Sequence, residues 1–307
     1  MGRKSFTRRD FIRLVSNGAA LGAVAQATLL DPGALWAAPP AAINSTFRGV
    51  LIGAQSYSFR DRPLDEAISG YVETGIGSAE LWQGHMERVN GQRREGGREG
   101  IRKWRMTVSL DEFAAAGKKF RDAGVDVYAY NYSFRDDFTD GEMERGFEMA
   151  KALGAKVITA SSNVSTAMRV DPFAKKHQMR VGMHNHSRIR ENEFATPDDF
   201  DKARRGASEY IAVNLDIGHF VAAGFDPVPF IEKNNADIVT LHLKDRKKNQ
   251  GENLPFGQGD TPVKEVLALL RDSKYAIPAN IEYEYDGADT LEEMKKCLAY
   301  CKQALMA

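Results

Sequence analysis

Strand-like and helix-like runs alternate along this chain from about residue 50 to its end. The predicted strands begin with residues 50–56, 77–82, 125–130 and 156–160, and four more start near Val181, Val213, Val239 and Asn280. The predicted helices cover 63–74, 109–124, 140–154, 198–207, 227–235, 262–273 and 291–305. Because strands that alternate with helices pair in parallel, and eight such units close on themselves, the pattern predicts a single (β/α)8 barrel.

Each of the last four strands ends in side chains that bind metals. His184, Asp216, His242 and Glu282 are separated by 32, 26 and 40 residues, and each gap suits one strand–helix–strand unit. The carboxyl ends of these strands therefore meet on one rim of the barrel. Imidazole and carboxylate groups that converge there are what a catalytic divalent cation needs, so the sequence predicts a metal-dependent enzyme.

A single His or Asp after a strand is more often a helix cap or an ordinary loop residue. Four of the six histidines nevertheless lie at these strand ends, which are His184, His186, His219 and His242. Asp216 and Glu282 accompany them. Chance placement of the whole set at strand ends is a poor explanation, and this favours the metal or acid–base site.

The first 38 residues are predicted to be a twin-arginine signal peptide rather than part of the fold. Arg8 and Arg9 lie in a basic start, an Ala/Gly-rich apolar run follows, and small residues near Ala38 form an imperfect cleavage site. The apolar run is short for a membrane span, so no stable anchor is expected. The predictions are export by the twin-arginine machinery, a periplasmic location and a barrel over residues 39–307.

Composition excludes one class of partner. The chain has 42 basic and 42 acidic residues, which gives no electrostatic case for binding nucleic acid. Its two cysteines, Cys297 and Cys301, lie four residues apart on the last predicted helix, a spacing that fits a helix face better than a disulfide framework.

Two predicted connections are longer than usual. Residues 83–108 contain seven Arg or Lys against three Glu, and this segment is either a disordered basic insertion or a lid over the rim. Residues 247–261 include Gly257 and Gly259, which allow close backbone approach or form a simple turn before the next helix.

Five motifs together resemble the sugar phosphate isomerase/epimerase family, the xylose-isomerase-like barrels. They are His184-Asn185-His186, Leu215-Asp216-Ile217-Gly218-His219, Leu241-His242-Leu243-Lys244-Asp245, Gly257-Gln258-Gly259-Asp260 and Glu282-Tyr283-Glu284. The likeness covers nearly all of residues 48–307. It implies one Mn²⁺, Mg²⁺, Co²⁺ or Zn²⁺ ion held by His184, Asp216, His242 and Glu282.

His184 departs from the family pattern, because the first ligand position usually carries a glutamate. Ketose 3-epimerases of the family use two glutamates as the acid–base pair on opposite faces of the substrate. A subgroup that includes inosose dehydratases often has a His-Asn-His motif here. The resemblance therefore favours a keto-sugar or inositol-type lyase, or a one-sided isomerase.

The expected chemistry is removal of a proton next to a carbonyl. A divalent ion chelated by a substrate carbonyl and hydroxyl stabilises an enediolate, and a carboxylate or imidazole removes the proton. The candidate catalytic residues are Glu282, His184, His186 and Lys244. The candidate substrate-binding residues are Glu80, Trp82, His219, Asp245 and Glu284.

Two other functions are compatible with a barrel of this kind. A family endonuclease would need further ligands from early strands, where this chain has Tyr130-Asn131-Tyr132 and Ala160-Ser161-Ser162-Asn163. A non-catalytic periplasmic sugar-binding barrel stays open, although a pure binder does not need this acid–base set. The expected partner is a small carbohydrate or polyol, and the sequence allows a homo-oligomer without requiring one.

Overall fold

Eight parallel strands close into a barrel in the computed structural model, which describes residues 41–89 and 91–307. The barrel strands, labelled β1 to β8, are Val50–Gln55, Ser78–Trp82, Asp126–Asn131, Val157–Ala160, Val181–His184, Ile211–Asp216, Ile238–Leu243 and Ala279–Ile281. Each pairs with the next, and β8 returns to pair with β1, where Asn280 lies beside Gly53. The predicted (β/α)8 barrel is confirmed. The predicted signal peptide lies outside the described residues.

Seven helices lie close to their predicted positions, and the structure adds four that were not predicted, which are α2, α3, α6 and α8 in the numbering below. Labelled α1 to α11, they are Leu64–Thr74, Gln83–Glu87, Gly97–Thr107, Leu110–Asp122, Asp140–Leu153, Thr166–His177, Pro197–Arg204, Ile217–Ala222, Pro227–Asn234, Val263–Asp272 and Thr290–Met306. Side chains fix several starts: Ser109 caps α4, and capping boxes built on Thr139 and Thr196 begin α5 and α7. Among the described helices, none has the length and hydrophobicity of a membrane span.

The segment after β2 is ordered rather than a disordered insertion. It holds α2, a short hairpin of Arg88–Val89 with Gln92–Arg93, and then α3; only Asn90 lies outside the described residues. An ion pair of 2.5 Å joins Arg105 of α3 to Glu87 of α2, and both side chains are buried. This contact ties the segment to the rim of the barrel, so the disordered alternative is wrong.

A buried polar layer fills the barrel beneath its carboxyl-terminal rim. Glu80 of β2 accepts hydrogen bonds from Gln55 (2.8 Å), Thr159 (2.5 Å) and Asn280 (2.8 Å). Gly53 leaves room for this layer, because a Cβ there would lie 2.3 Å from Oδ1 of Asn280. The layer connects β1, β2, β4 and β8, and it forms the floor under the strand ends that carry the candidate site.

Candidate metal centre

Four side chains from consecutive strands converge at the rim. One ligand atom from each of His184, Asp216, His242 and Glu282 lies within 4.8 Å of all the others, and all four residues are buried. Strand register brings them together: His242 of β7 is paired with Asp216 of β6, and Glu282 directly follows β8. The spacing of these residues in the sequence thus predicted the grouping, while the role of the four as metal ligands remains a prediction.

Two atoms in this cluster have the character of free ligand atoms. Nε2 of His184 and Oδ2 of Asp216 are buried and form no hydrogen bond with residues 41–89 or 91–307. Nζ of Lys244 lies 3.1 Å from Oδ2 of Asp216, but not in the direction of a hydrogen bond. Nε2 of His184 lies 3.6 Å from Oδ2 of Asp216, and a buried polar atom without a hydrogen bond is costly, so the two atoms fit a cation bound between them. Two carboxylates and two imidazoles form a donor set that suits a divalent metal.

Asp216 is oriented by its neighbours on both sides. Its Oδ1 accepts a 2.7 Å hydrogen bond from the backbone N–H of His219 and so caps α8. The side-chain amide of Asn185 accepts a hydrogen bond from the Asp216 N–H (2.9 Å) and donates one to its carbonyl (3.1 Å). These contacts hold Oδ2 toward the other three side chains of the cluster. Asn185, the middle residue of the His-Asn-His motif, was not among the predicted site residues.

His242 is held between two carboxylates. Its Nε2 lies 2.8 Å from Oε2 of Glu80, and its Nδ1 lies 3.0 Å from Oε2 of Glu282. Burial alone would lower the pKa of His242, but these two carboxylates raise it well above its ordinary value. Because Nε2 is hydrogen-bonded to Glu80 beneath the cluster, Nδ1 is the nitrogen that faces the other side chains of the cluster. Glu80 therefore lies beneath the cavity, where it orients His242, and does not line the cavity as a substrate-binding residue would.

Lys244 concentrates positive charge at the same place. Its Nζ lies 2.5 Å from Glu284, 3.0 Å from Glu282 and 3.1 Å from Asp216. Burial alone would lower the pKa of Lys244, but the three carboxylates raise it, so the group stays charged. Burial would likewise raise the pKa of Glu282, yet Lys244 and His242 hold it well below its usual range. Glu282 is therefore an ionised carboxylate, which is the form that a base requires.

A cavity of about 220 Å³ opens above this cluster. Glu282 and Glu284 contribute carboxylates to its wall, and His184, His186 and His219 contribute imidazoles. The full lining is Gln55, Tyr57, Trp82, Asn131, Ser161, His184, His186, His219, His242, Lys244, Glu282 and Glu284. The cavity therefore contains every predicted catalytic residue. Of the predicted substrate-binding residues, Trp82, His219 and Glu284 line it.

Asp245 is placed elsewhere, in the loop that follows β7. Its carboxylate accepts backbone hydrogen bonds from Gly257 (2.7 Å), Gly259 (3.0 Å) and Thr261 (3.1 Å). A Cβ on Gly259 would lie 2.0 Å from the Asp245 carboxylate, so the loop needs glycine there. Asp245 thus organises the Gly-Gln-Gly-Asp loop and does not line the cavity.

His219 is held by a residue that the sequence did not single out. Nη1 of Arg246 lies 2.7 Å from Nδ1 of His219, and Arg246 also donates two hydrogen bonds to the carbonyl of Gly251. Burial holds the pKa of His219 well below its usual value, so its ring is neutral and presents one acceptor nitrogen. Nδ1 accepts from Arg246, which fixes the ring at the edge of the cavity.

Family comparison agrees with the fold and the motifs. The sequence profile described as "Xylose isomerase-like TIM barrel" matches residues 97–303, about two thirds of the chain. This chain belongs to the xylose isomerase-like TIM barrel family. None of the curated proteins matches it in sequence.

Solved structures of the xylose isomerase-like fold superpose on most of the chain. A sugar phosphate isomerase/epimerase from Parabacteroides distasonis matches with a TM-score of 0.59 and 19% identity, covering 86% of this chain and 97% of that one. The 3-keto-D-glucoside 4-epimerase of E. coli in its apo form gives 0.63 and 13%, covering 83% and 99%. The IolI protein with a bound zinc atom gives 0.63 and 13%, covering 83% and 98%. At these identities the likeness shows the fold alone.

Proposed function

We propose that this protein is a divalent-metal-dependent sugar isomerase or epimerase, or a keto-sugar dehydratase of the inosose type. The observation that carries the proposal is the buried cluster of His184, Asp216, His242 and Glu282 at the floor of the cavity, with Lys244 against two of its carboxylates. A metal there would be Mn²⁺, Mg²⁺, Co²⁺ or Zn²⁺. It would polarise a substrate carbonyl and favour ionisation of the adjacent carbon.

The residues around the cavity divide the work of proton transfer. Glu282 lines the cavity, where its carboxylate is the base that takes the proton next to the carbonyl. Lys244 remains charged beside it and stabilises the negative charge that develops on the substrate oxygen. His186, whose ring centroid lies 5.0 Å from that of the proposed ligand His184, provides an imidazole for the second proton transfer.

The imidazole at the first ligand position favours a dehydratase or a one-sided isomerase over an epimerase that uses two glutamates. Both carboxylates of the cavity, Glu282 and Glu284, follow β8, and they lie 3.0 Å and 2.5 Å from Nζ of Lys244. A dehydratase needs a base for the carbon-bound proton and an acid for the departing hydroxyl, and a carboxylate with an imidazole can serve these two roles.

Hydrogen exchange at the substrate tests the proposal. The purified protein, loaded with Mn²⁺ or Zn²⁺, is incubated in D2O with a panel of keto-sugars and inososes, and deuterium incorporation is followed by mass spectrometry. We expect exchange at the carbon next to the carbonyl, and a fall of about 10²-fold or more in Glu282→Gln, which keeps the shape but loses the base.

Two variants make the result specific. Glu209→Gln, at an exposed position, should exchange like the wild type. If exchange survives in Glu282→Gln and disappears in Glu284→Gln, the base is Glu284 instead. A protein that binds metal and a sugar but exchanges no proton would be a sugar-binding barrel, and the catalytic proposal would be rejected.

A further inference from the structure

A second cavity lies beside the candidate metal centre and shares the wall formed by Trp82. Its volume is about 350 Å³, and it lies between the segment after β2 and the loop after β3. Five of its lining residues are arginines and one is a glutamate: Arg88, Arg98, Arg102, Arg105, Arg135 and Glu87. Such a concentration of one charge stands out in a chain whose acidic and basic residues are equal in number.

Helix α3 supplies most of this charge through its periodicity. Arg98, Ile101, Arg102 and Arg105 are spaced by three, one and three residues, so they share one face of the helix, and all four line the cavity. The helix therefore presents a cationic stripe with one apolar residue to the cavity. Trp82 and Phe138 add aromatic walls.

Three of the arginines have carboxylate partners. Arg98 pairs with Asp137, Arg102 with Glu142 and Arg105 with Glu87, each at 2.5 Å. These pairs orient their guanidinium groups and neutralise their charge.

The other two arginines leave an excess of positive charge. Within residues 41–89 and 91–307, the side chains of Arg88 and Arg135 form neither an ion pair nor a hydrogen bond. Arg88 instead lies over the ring of Trp82, 4.6 Å from its centroid, where the contact fixes its position without using its N–H donors. Arg135 is exposed, Arg88 is half-buried, and within those residues no protein atom accepts a hydrogen bond from either guanidinium group.

We propose that this cavity binds an oxyanion, the carboxylate or phosphate group of a small ligand. The planar guanidinium group can form paired hydrogen bonds with a carboxylate or a phosphate. Arg88 and Arg135 supply positive charge that the other residues of the cavity do not neutralise. The apolar wall of Trp82, Ile101 and Phe138 suits the carbon skeleton that carries the anion. Because Trp82 borders both cavities, the anion is either a group of the substrate bound at the metal centre or a separate free anion. The first assignment rests on the proposed function.

Titration with inorganic phosphate tests the site itself. Phosphate is added to the metal-loaded, full-length protein and binding is measured by calorimetry at low ionic strength. We expect saturable binding that weakens about tenfold or more in the double variant Arg88→Gln/Arg135→Gln.

Lys118→Gln removes one charge from an exposed helical position and should bind phosphate like the wild type. Arg88→Lys/Arg135→Lys keeps the charge and loses the fork, so it should bind with intermediate affinity. Equal binding by the wild type and the double Gln variant, or no binding at all, overturns the proposal.

Paired substrates distinguish the two sources of the anion. A neutral keto-sugar is compared with its carboxylate or phosphate derivative in the deuterium-exchange assay. A higher kcat/KM for the charged compound, lost in the double Gln variant, assigns the anion to the substrate. Equal kcat/KM values together with phosphate binding assign it to a free anion. Metal binding is also titrated for every variant. A variant that loses metal binding, or loses all hydrogen exchange, reports on the metal centre. A variant that loses only phosphate binding, or only the preference for the charged substrate, reports on the arginines.

Discussion

At the residue scale, His242 is a proposed ligand whose ring is oriented by a residue that does not line the cavity. Glu80 is fully buried in the polar layer and receives hydrogen bonds from Gln55, Thr159 and Asn280, so its carboxylate cannot turn away. Its Oε2 lies 2.8 Å from Nε2 of His242. A carboxylate in this position selects the ring tautomer and increases the basicity of the other nitrogen. Glu80 is therefore a positioning residue.

We predict that Glu80→Gln weakens metal binding while the four proposed ligands stay in place. An amide holds the ring less firmly than a carboxylate, and loss of such a partner lowers affinity by about 10–100-fold. The measurement is a competition titration with a chromophoric chelator, with the melting temperature recorded to confirm folding. Glu209→Gln, at an exposed position, is the control. An affinity equal to the wild type in a folded Glu80→Gln protein would contradict the role assigned to Glu80.

At the element scale, the short helix α8 sets the direction of Asp216. The helix starts directly after β6, and its first turn is pressed against the chain that follows β7. Gly218 makes this approach feasible, because a Cβ there would lie 2.6 Å from the carbonyl oxygen of Lys244. Since the Asp216 carboxylate caps the same helix, a shift of α8 would move a proposed ligand.

We predict that Gly218→Ala lowers the free energy of unfolding by about 1–3 kcal/mol, the usual effect of forcing a methyl group into a packed site. It should also weaken metal binding, because Asp216 moves with α8. Gly141→Ala is the matched control: its Cβ would meet its nearest neighbour at an ordinary 3.5 Å, inside helix α5. That change should be neutral or slightly stabilising. Denaturant unfolding measures both variants, and equal losses in the two would refute the steric explanation.

At the scale of the whole molecule, the candidate centre exists only in the folded barrel. Its four residues come from the ends of β5 to β8 and are brought together by parallel pairing. A metal would therefore bind after folding. We propose that the protein is exported to the periplasm already folded. The metal would then be inserted in the cytoplasm, where the supply of metals is controlled. This matters because the order of affinities among divalent metals by itself favours copper and zinc.

We predict that Arg8→Lys with Arg9→Lys leaves active, metal-loaded protein in the cytoplasm. Both arginines lie outside the described residues, so the prediction rests on the sequence motif. Cell fractionation, with immunoblotting and the exchange assay, measures the distribution. Arg3→Lys makes the same chemical change outside the pair and should leave export intact. Unchanged periplasmic activity in the double variant would show that Arg8 and Arg9 are not the export signal.

Local sequence patterns were sufficient to predict the barrel and the grouping of its four metal-type residues. Strand and helix periodicity are local properties, and Ser109 or Thr139 marks a helix start wherever the helix later packs. Once eight parallel units close, the strand ends must share a rim, so His184 and Asp216 were predicted to be neighbours from spacing alone.

The positions of the remaining polar side chains depend on the folded structure and could not be predicted from local patterns. Glu80 and Asp245 follow the same kind of pattern as Glu282, yet one lies in the buried layer and the other bonds to the backbone of a loop. The direction of a side chain near a strand end depends on the path of the next loop and on partners distant in sequence, such as Asn280, which lies 200 residues from Glu80. Neither the path of a loop nor a partner distant in sequence produces a periodic pattern in the sequence. For the same reason, the positive charge of the segment after β2 could be read from the sequence, but its arginine-lined cavity could not. The cavity forms between α3 and the loop after β3, which are distant in sequence.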